Sequence, residues 1–470
     1  MQIQETYQRK KLSHDQFLEQ IRPEDYLSTS IAAGQPRSLL QKLSEMKNAK
    51  SIKLFTGLIS APYPCLIKPE FHTVSGYYGP VERKLNDAGF NLSYQPLPFN
   101  GFERWVETFP PRVVMTTLAS MDSSGYLSFG VDAEAVYVPF LNAARDPKRL
   151  AIAEVNSNMP MVGGLPELGD NKIHVDEIDF VVESDQGLLE LPDTEPNEVE
   201  RKIAQNVAQL LRSGDTLQFG IGAIPDEVAR ILASTDLGDF GVHSELISNG
   251  FLTLMESGKI TGARKGLHDG KSVFAFALGN RQLYDFLDER KGKNQGRVVA
   301  APVSYVNDSS VIAKHRNMVS VNSGFMIDFS GQVSSEAIGE RQYSGVGGQL
   351  NFVEGAFFSP GGRSILCIKS SVVRKGKRYS NIVNALPPGS IVSTPRHYVQ
   401  HVVTEYGSVN LFGLTDEERP AALASIAHPE FRADLREQAR KRDQAYYHTR
   451  GPSWLTRLWT RILLSRKSAS

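Results

Sequence analysis

Short β-branched or apolar runs separated by amphipathic stretches recur along this chain, and the recurrence begins twice. Strands buried on both faces read as continuous apolar runs, and each parallel return needs a crossover, usually a helix, so the pattern predicts α/β architecture around mainly parallel sheets. In the first half the predicted strands are "SIKLFTGLIS", "RVVMTTLAS", "RLAIAEVN" and "DFVVES", with "DAEAVYVPFLNAARD" as a helix among them. Pro192, Asp193 and Pro196 then break the pattern ahead of an amphipathic helix carrying Val199, Ile203, Val207, Leu210 and Leu211. The alternation restarts with "DTLQFGIG", the helix "IPDEVARILAS" and the strand "DFGVHSE". Two open, mainly parallel lobes are expected, residues 1–193 and 194–450, followed by a tail at 451–470. The inferred duplication is architectural, with no residue-level repeat behind it.

A chain of 470 residues exceeds one ordinary core, and 41% hydrophobic with 22% charged residues describes soluble globular protein. Lysine plus arginine equals aspartate plus glutamate at 52 each, which removes any global electrostatic reason to expect nucleic acid as partner. A small molecule is expected instead. Cys65 and Cys367 stand far apart in no metal-ligand spacing, which suits a reducing cytoplasm. The N-terminus has no apolar h-region, and nowhere do about 18 consecutive apolar residues occur, so neither export nor a membrane span is expected.

Two motifs carry chemistry. In "QFGIGAIPDEVARIL" a strand enters a turn, Gly220, Ile221, Gly222, Ala223, Ile224 and Pro225, and then a helix whose free N–H groups can face an anion. Pro225 replaces the third glycine of a dinucleotide fingerprint, so the turn suits an oxygen better than a pyrophosphate; a plain tight turn is the alternative. Glu245, in "GVHSELISNG", follows 25 positions after Gly220 at the C-terminal end of the next predicted strand, where open α/β sheets gather ligand-binding groups. With an ordinary pKa of about 4.3 it is already ionised at neutral pH and can attack an electrophile without a general base. A backbone donor beside it would be worth roughly 2.7–4 kcal/mol to a tetrahedral oxyanion. A capping or surface glutamate is the competing reading. His243, two residues earlier and on the same strand face, fits positioning better than acid/base work. His397 and His401 have helical spacing but no metal motif around them. Arg396 offers a two-pronged fork for phosphate or carboxylate, with a surface arginine as the alternative.

Six segments, "AEVNSNMP", "GIGAIPDEV", "GVHSELISNG", "VNSGFMIDFSGQVSSEAIG", "YSGVGGQLNFVEGAFFSPGGRSI" and "VVTEYGSVNLFG", appear in this order. With them the chain resembles the acetyl-CoA hydrolase/transferase family of class I coenzyme A transferases, in the branch of 4-hydroxybutyrate and butyrate CoA-transferases. The resemblance implies two lobes with the active site between them, and Glu245 as the nucleophile that carries a glutamyl-CoA thioester. It implies acyl-CoA and a small carboxylic acid as substrates, with no prosthetic group or metal, and a homodimer or larger homo-oligomer. Residues 220–225 would contact CoA, joined by Asn322 and by Gly345, Gly347 and Gly348, whose spacing otherwise reads as a hairpin or bulge. Asn307 and Glu405 match recurrent polar positions without a defined role. An acyl-CoA hydrolase using the same glutamate, or a CoA-binding sensor, are the other readings. Asn249, Asn351, Glu354 and Phe412 depart from the family pattern, which leaves the acyl group and acceptor open. The tail "SWLTRLWTRILLSRK" is basic, aromatic and helically spaced, and suits a membrane surface or partner as well as packing on its own subunit.

Overall fold

The computed structural model describes residues 2–443 and contains two large sheets built by successive halves of the chain. The tail expected at 451–470 lies outside the described residues. The first sheet comprises β1 (Tyr26–Thr29), β2 (Ile52–Thr56), β3 (Phe71–Ser75), β4 (Leu92–Tyr94), β5 (Val113–Ala119), β6 (Leu150–Asn156) and β7 (Phe180–Ser184). Their order across the sheet is β4-β3-β2-β1-β5-β6-β7, and every pairing is parallel. All seven residues of β5 are buried, the reason its sequence shows no polar alternation.

The second sheet comprises β8 (Thr216–Phe219), β9 (Gly241–Ile247), β10 (Ser272–Ala277), β11 (Val298–Ala300), β12 (Met318–Ser323), β13 (Arg363–Cys367), β14 (His401–Thr404) and β15 (Gly407–Asn410). Its order is β11-β10-β9-β8-β12-β13-β14-β15. Only the β14–β15 hairpin is antiparallel. Apart from that added hairpin strand, the two sheets have the same order, with the first strand of each half at the centre and the direction of winding reversing beside it.

The equivalence extends to residues. Ile21, Arg22, Asp25 and Leu27 lead into β1; Leu211, Arg212, Asp215 and Leu217 lead into β8, each 190 positions later. Asp25 accepts the N–H of Arg22 at 2.8 Å, and Asp215 that of Arg212 at 2.7 Å. Each buried aspartate also binds an arginine that enters a neighbouring part of its sheet, Arg112 in the first lobe and Arg363 in the second, both at 2.5 Å. Beyond the strands, Ala32 and Gly222 occupy equivalent turns with φ of 45° and 116°. The sequence therefore does contain a short residue-level repeat, contrary to expectation. It is sparse because only the strand entry, the buried Asp and the left-handed turn must recur for the two sheets to start alike.

Four helices position the site or its supports. α1 (Tyr137–Arg145) is shorter than the predicted 132–146, because the Ala133 N–H is taken by the Ala275 carbonyl at 3.0 Å and the preceding segment pairs with β10 instead. α2 (Glu198–Ala208) starts at a capping box in which Asn197 and Glu200 satisfy one another's backbone N–H groups. α3 (Ala223–Ala233) follows β8, and α4 (Asn249–Glu256) follows β9. His401 opens strand β14 with His397 in the turn before it, so their helical spacing has no structural counterpart. Phe99, Phe102 and Met159 of the first lobe share one continuous apolar core with Leu217, Phe219 and Phe276 of the second. A cleft between lobes joined in this way is a packed interface with a residual cavity.

Candidate active site

The cavity follows from the winding reversal at the centre of the second sheet. Crossovers leave β8 toward opposite faces from those leaving β12, so the loops beyond the two strand ends diverge and leave a crevice. Gly220 and Ile221 at the end of β8, and Asn322 and Ser323 at the end of β12, line this crevice. The first lobe closes it with Ile31, Leu58, Tyr77 and Phe99, leaving a cavity of about 280 Å³. Ile31 and Ile221, equivalent residues of the two lobes 190 positions apart, both line it.

Glu245 sits near the C-terminal end of β9 and opens into this cavity, half-buried. Asn307 Nδ2 donates to its Oε2 at 2.6 Å, and the Gly348 N–H is a second donor. Burial pushes the Glu245 carboxyl up to about 7, outweighing the Asn307 hydrogen bond that favours the ionised form. The buried carboxyl of Glu134 adds repulsion, and the Gly348 N–H opposes it. An ordinary pKa was the premise of the sequence reading, and the structure corrects it. Taken out of water, the carboxylate loses more hydration than two donors restore, so its protonated form is favoured relative to a free glutamate.

Gly348 is the N-cap of α5 (Gln349–Phe358), so the glycine-rich stretch is a turn entering a helix and not a hairpin. Gly345, Gly347 and Gly348 all line the cavity. At Gly345 a Cβ would stand 2.5 Å from Cδ2 of Tyr77, and at Gly348 it would meet Glu245 itself. Tight approach of the turn to the first lobe and to the carboxylate accounts for two of the three glycines.

Of the other predicted site residues, Asn322 lines the cavity with its amide engaged by Gln218 at 3.0 Å and by Ser320 at 2.9 Å. Gly222 turns the chain away from the cavity, and Ala223 and Pro225 lie buried in the first turn of α3. Ile224 lines a second cavity of about 410 Å³, which shares Ser323 and Phe325 with the first and is edged by Lys369 and Arg374. Arg396 is not brought to either cavity: it is exposed and pairs with Asp416 at 3.3 Å. His243 lies fully buried below Glu245, with Nε2 at 2.8 Å from the Val306 carbonyl. Burial pushes it down to about 3, so it is neutral and takes no proton at working pH. Glu405 lines neither cavity and accepts the Ser370 N–H and hydroxyl.

The four positions that depart from the family pattern do not line either cavity. Asn249 bonds Asp193 and Leu191 of the interlobe connection, Glu354 accepts from Ser309 and Tyr398, and Phe412 packs on Phe357. The buried Oδ1 of Asn351 has no hydrogen-bond partner among the described residues. Sequence reasoning missed the walls contributed by Leu58, Tyr77 and Phe99, and gave Asn307 no role. The dipeptide Asn100-Gly101 after Phe99 was a readable turn signal, but nothing in it points to a partner two hundred residues away.

The fold agrees with comparisons to known proteins. Residues 1–190 match the acetyl-CoA hydrolase/transferase N-terminal domain, and residues 279–439 the C-terminal domain of the same name. The chain is 44% identical over 333 residues to 4-hydroxybutyrate coenzyme A transferase of Clostridium kluyveri, covering 71% of this chain and 73% of that one. It is 33% identical over 452 residues to butyryl-CoA:acetate CoA-transferase of Anaerostipes caccae, covering 94% and 98%. The crystal structure of RipA from Yersinia pestis superposes with a TM-score of 0.84 at 32% identity, over 94% of this chain and 99% of that one. Fold and site thus define a two-lobed α/β protein of the CoA-transferase type. The chain belongs to the acetyl-CoA hydrolase/transferase family.

Proposed function

We propose that this protein transfers coenzyme A between a short-chain acyl-CoA and a carboxylic acid, with Glu245 as covalent nucleophile. The observation that carries the reading is the convergence of Glu245, the Asn307 amide and the Gly348 N–H at the wall of a small interlobe cavity. Ionised Glu245 attacks the thioester carbonyl; a C–O bond forms, the C–S bond breaks, and an acyl-glutamyl anhydride and CoA thiolate result. The thiolate attacks the glutamyl carbonyl, releasing the first carboxylate and leaving a glutamyl-CoA thioester. The incoming carboxylate repeats these steps in reverse, so one thioester replaces another with no net redox change.

The residues divide this work. Asn307 and Gly348 hold the carboxylate and favour its ionised form, and the turn at Gly220 and Ile221 lies beside the reacting carbonyl as its oxyanion site. Ile31, Leu58, Phe99 and Phe276 make dry walls, which favour a carboxylate acceptor over water and so transfer over hydrolysis. A cavity of about 280 Å³ suits a short acyl chain. The adjoining cavity, with Lys369 and Arg374 at its edge, suits the pantetheine arm and its phosphates. That assignment moves the phosphate contact from Arg396 to Arg374. A cytoplasmic, homo-oligomeric enzyme completes the reading.

The test is to incubate the protein with short acyl-CoA compounds, with and without carboxylates, and follow acyl exchange, free thiol and the mass of the Glu245 peptide. Acceptor-dependent exchange with CoA attached at Glu245, both lost in Glu245→Ala, is the expected result. Thiol release without acceptor would make it a hydrolase, and exchange persisting in Glu245→Ala would sink the mechanism.

A further inference from the structure

Both donors to Glu245 belong to the second lobe, yet both are fastened by one turn of the first. In the turn Phe99–Gly101, the Phe99 N–H donates to the Gly347 carbonyl at 3.1 Å, one residue before the Gly348 donor. The next side chain, Asn100, donates from Nδ2 to the backbone carbonyl of Asn307 at 3.2 Å, the residue whose amide holds Glu245. The Phe99 ring is buried and meets Phe276 edge-on at 5.8 Å, so the turn is seated on the second lobe by packing as well. From the other side, His243 bonds the Val306 carbonyl, so the peptide carrying Asn307 is gripped above and below.

We propose that the turn Phe99–Gly101 is an interlobe clamp that sets both hydrogen-bond donors of Glu245, with Asn100 as its positioning residue. The inference rests on Glu245 being the reactive group. A donor 2.6 Å from a carboxylate oxygen depends steeply on angle, and both donors stand at the ends of helical segments, Asn307 closing the single turn Val303–Val306 and Gly348 opening α5, with no strand pairing to fix them against β9. Docking of the lobes therefore completes the site as well as closing the cavity. Once the clamp is cut, Asn307 and Gly348 wander relative to Glu245, and the ionised carboxylate loses support. The titratable groups whose charge acts on or is acted on by Glu245 are the buried Glu134 and the cavity-lining Tyr77, and neither is hydrogen-bonded to Asn100.

The test compares Asn100→Ala and Asn100→Asp with Arg281→Ala. Arg281 also makes an interlobe hydrogen bond, to Asn158 at 3.3 Å, and neither residue lines the cavity. Both Asn100 variants are expected to lower kcat about tenfold with little change in KM for acyl-CoA or in Tm, and to move the acidic limb of kcat/KM to higher pH. Arg281→Ala should move none of these. Asn100→Gln, which keeps an amide donor, should recover part of kcat. Carbodiimide labelling of Glu245 as a function of pH, read by peptide mass spectrometry, reports its protonation without any substrate. If wild type forms no CoA adduct but the labelling midpoint rises in Asn100→Ala, the transferase reading fails and the clamp stands. If neither kcat nor the labelling midpoint moves in the Asn100 variants, or if Arg281→Ala matches them, the clamp is wrong.

Discussion

Gly348 and Glu245 are packed so closely that a Cβ on residue 348 would stand 1.9 Å from Oε2 of Glu245, and 2.2 Å from Nδ2 of Asn307. The φ of Gly348 is −99°, open to any residue, so the need for glycine is steric and comes from the site. Relief of such a contact falls on the flexible carboxyl end, since the turn is pinned on both sides. Gly348→Ala should therefore lower kcat on the order of 100-fold by displacing the nucleophile, while costing about 1–3 kcal/mol of stability. Steady-state kinetics beside thermal unfolding separates the two effects; a variant of full activity would contradict the packing.

Glu245 must be ionised to attack, and its carboxyl is pushed up to about 7. Below that value the reactive form is lost as pH falls, so kcat/KM should drop about tenfold per pH unit on the acid side. Asn307→Ala removes a donor to the ionised form and should move this limb to higher pH. Stability runs the other way: a carboxyl with a raised folded pKa contributes stability below its unfolded pKa, which is lost as pH rises through about 7. Glu245→Gln should accordingly unfold at a higher temperature than wild type at pH 8, with little difference at pH 4. Calorimetry at the two pH values checks the sign.

Arg374 and Arg396 make opposite predictions about the nucleotide end of the substrate. Arg374 is exposed at the edge of the second cavity, whereas Arg396 is tied to Asp416 away from both. Arg374→Ala should raise KM for acyl-CoA about tenfold, the worth of one charge-assisted phosphate contact, and leave an acyl-pantetheine substrate unaffected. Arg396→Ala should change neither. Equal KM values in the two variants would return the phosphate site to an open question.

Asp215 and Asp25 anchor the first strand of each lobe to a neighbouring arginine in surroundings that exclude water. Removing one member of a buried pair leaves the other charge unsolvated. Asp215→Ala should cost about 3–5 kcal/mol in denaturant unfolding, with Asp25→Ala in the same range, since each aspartate is buried against its arginine. A loss under 1 kcal/mol in either would show that the pair is solvated in solution.

Much of the architecture was legible because it is local chemistry. The four strands predicted in the first half are β2, β5, β6 and β7, and the break at Pro192 to Pro196 falls between the two sheets. Glu245, Gly220, Ile221, Asn322 and the three glycines were picked out in sequence and meet at one cavity. The repeat led by Arg22 and Arg212 was present in the sequence but too short to stand out among unlike neighbours. The non-helical course of 132–136 was not legible, because its helical pattern is overridden at Asp132 and Ala133 by a backbone pairing with β10 more than a hundred residues away.

The sequence by itself determined two successive α/β halves, an acidic residue at a strand end and a donor-rich turn close behind the preceding strand, since each depends on periodicity or spacing within a few tens of residues. Tertiary structure alone decided what that acid is. Its protonation comes from the water that the first lobe excludes, its donors from Asn307 and Gly348, and their aim from Phe99 and Asn100 across the interface. Desolvation and hydrogen-bond direction are properties of three-dimensional surroundings assembled from distant segments, and no local pattern encodes them.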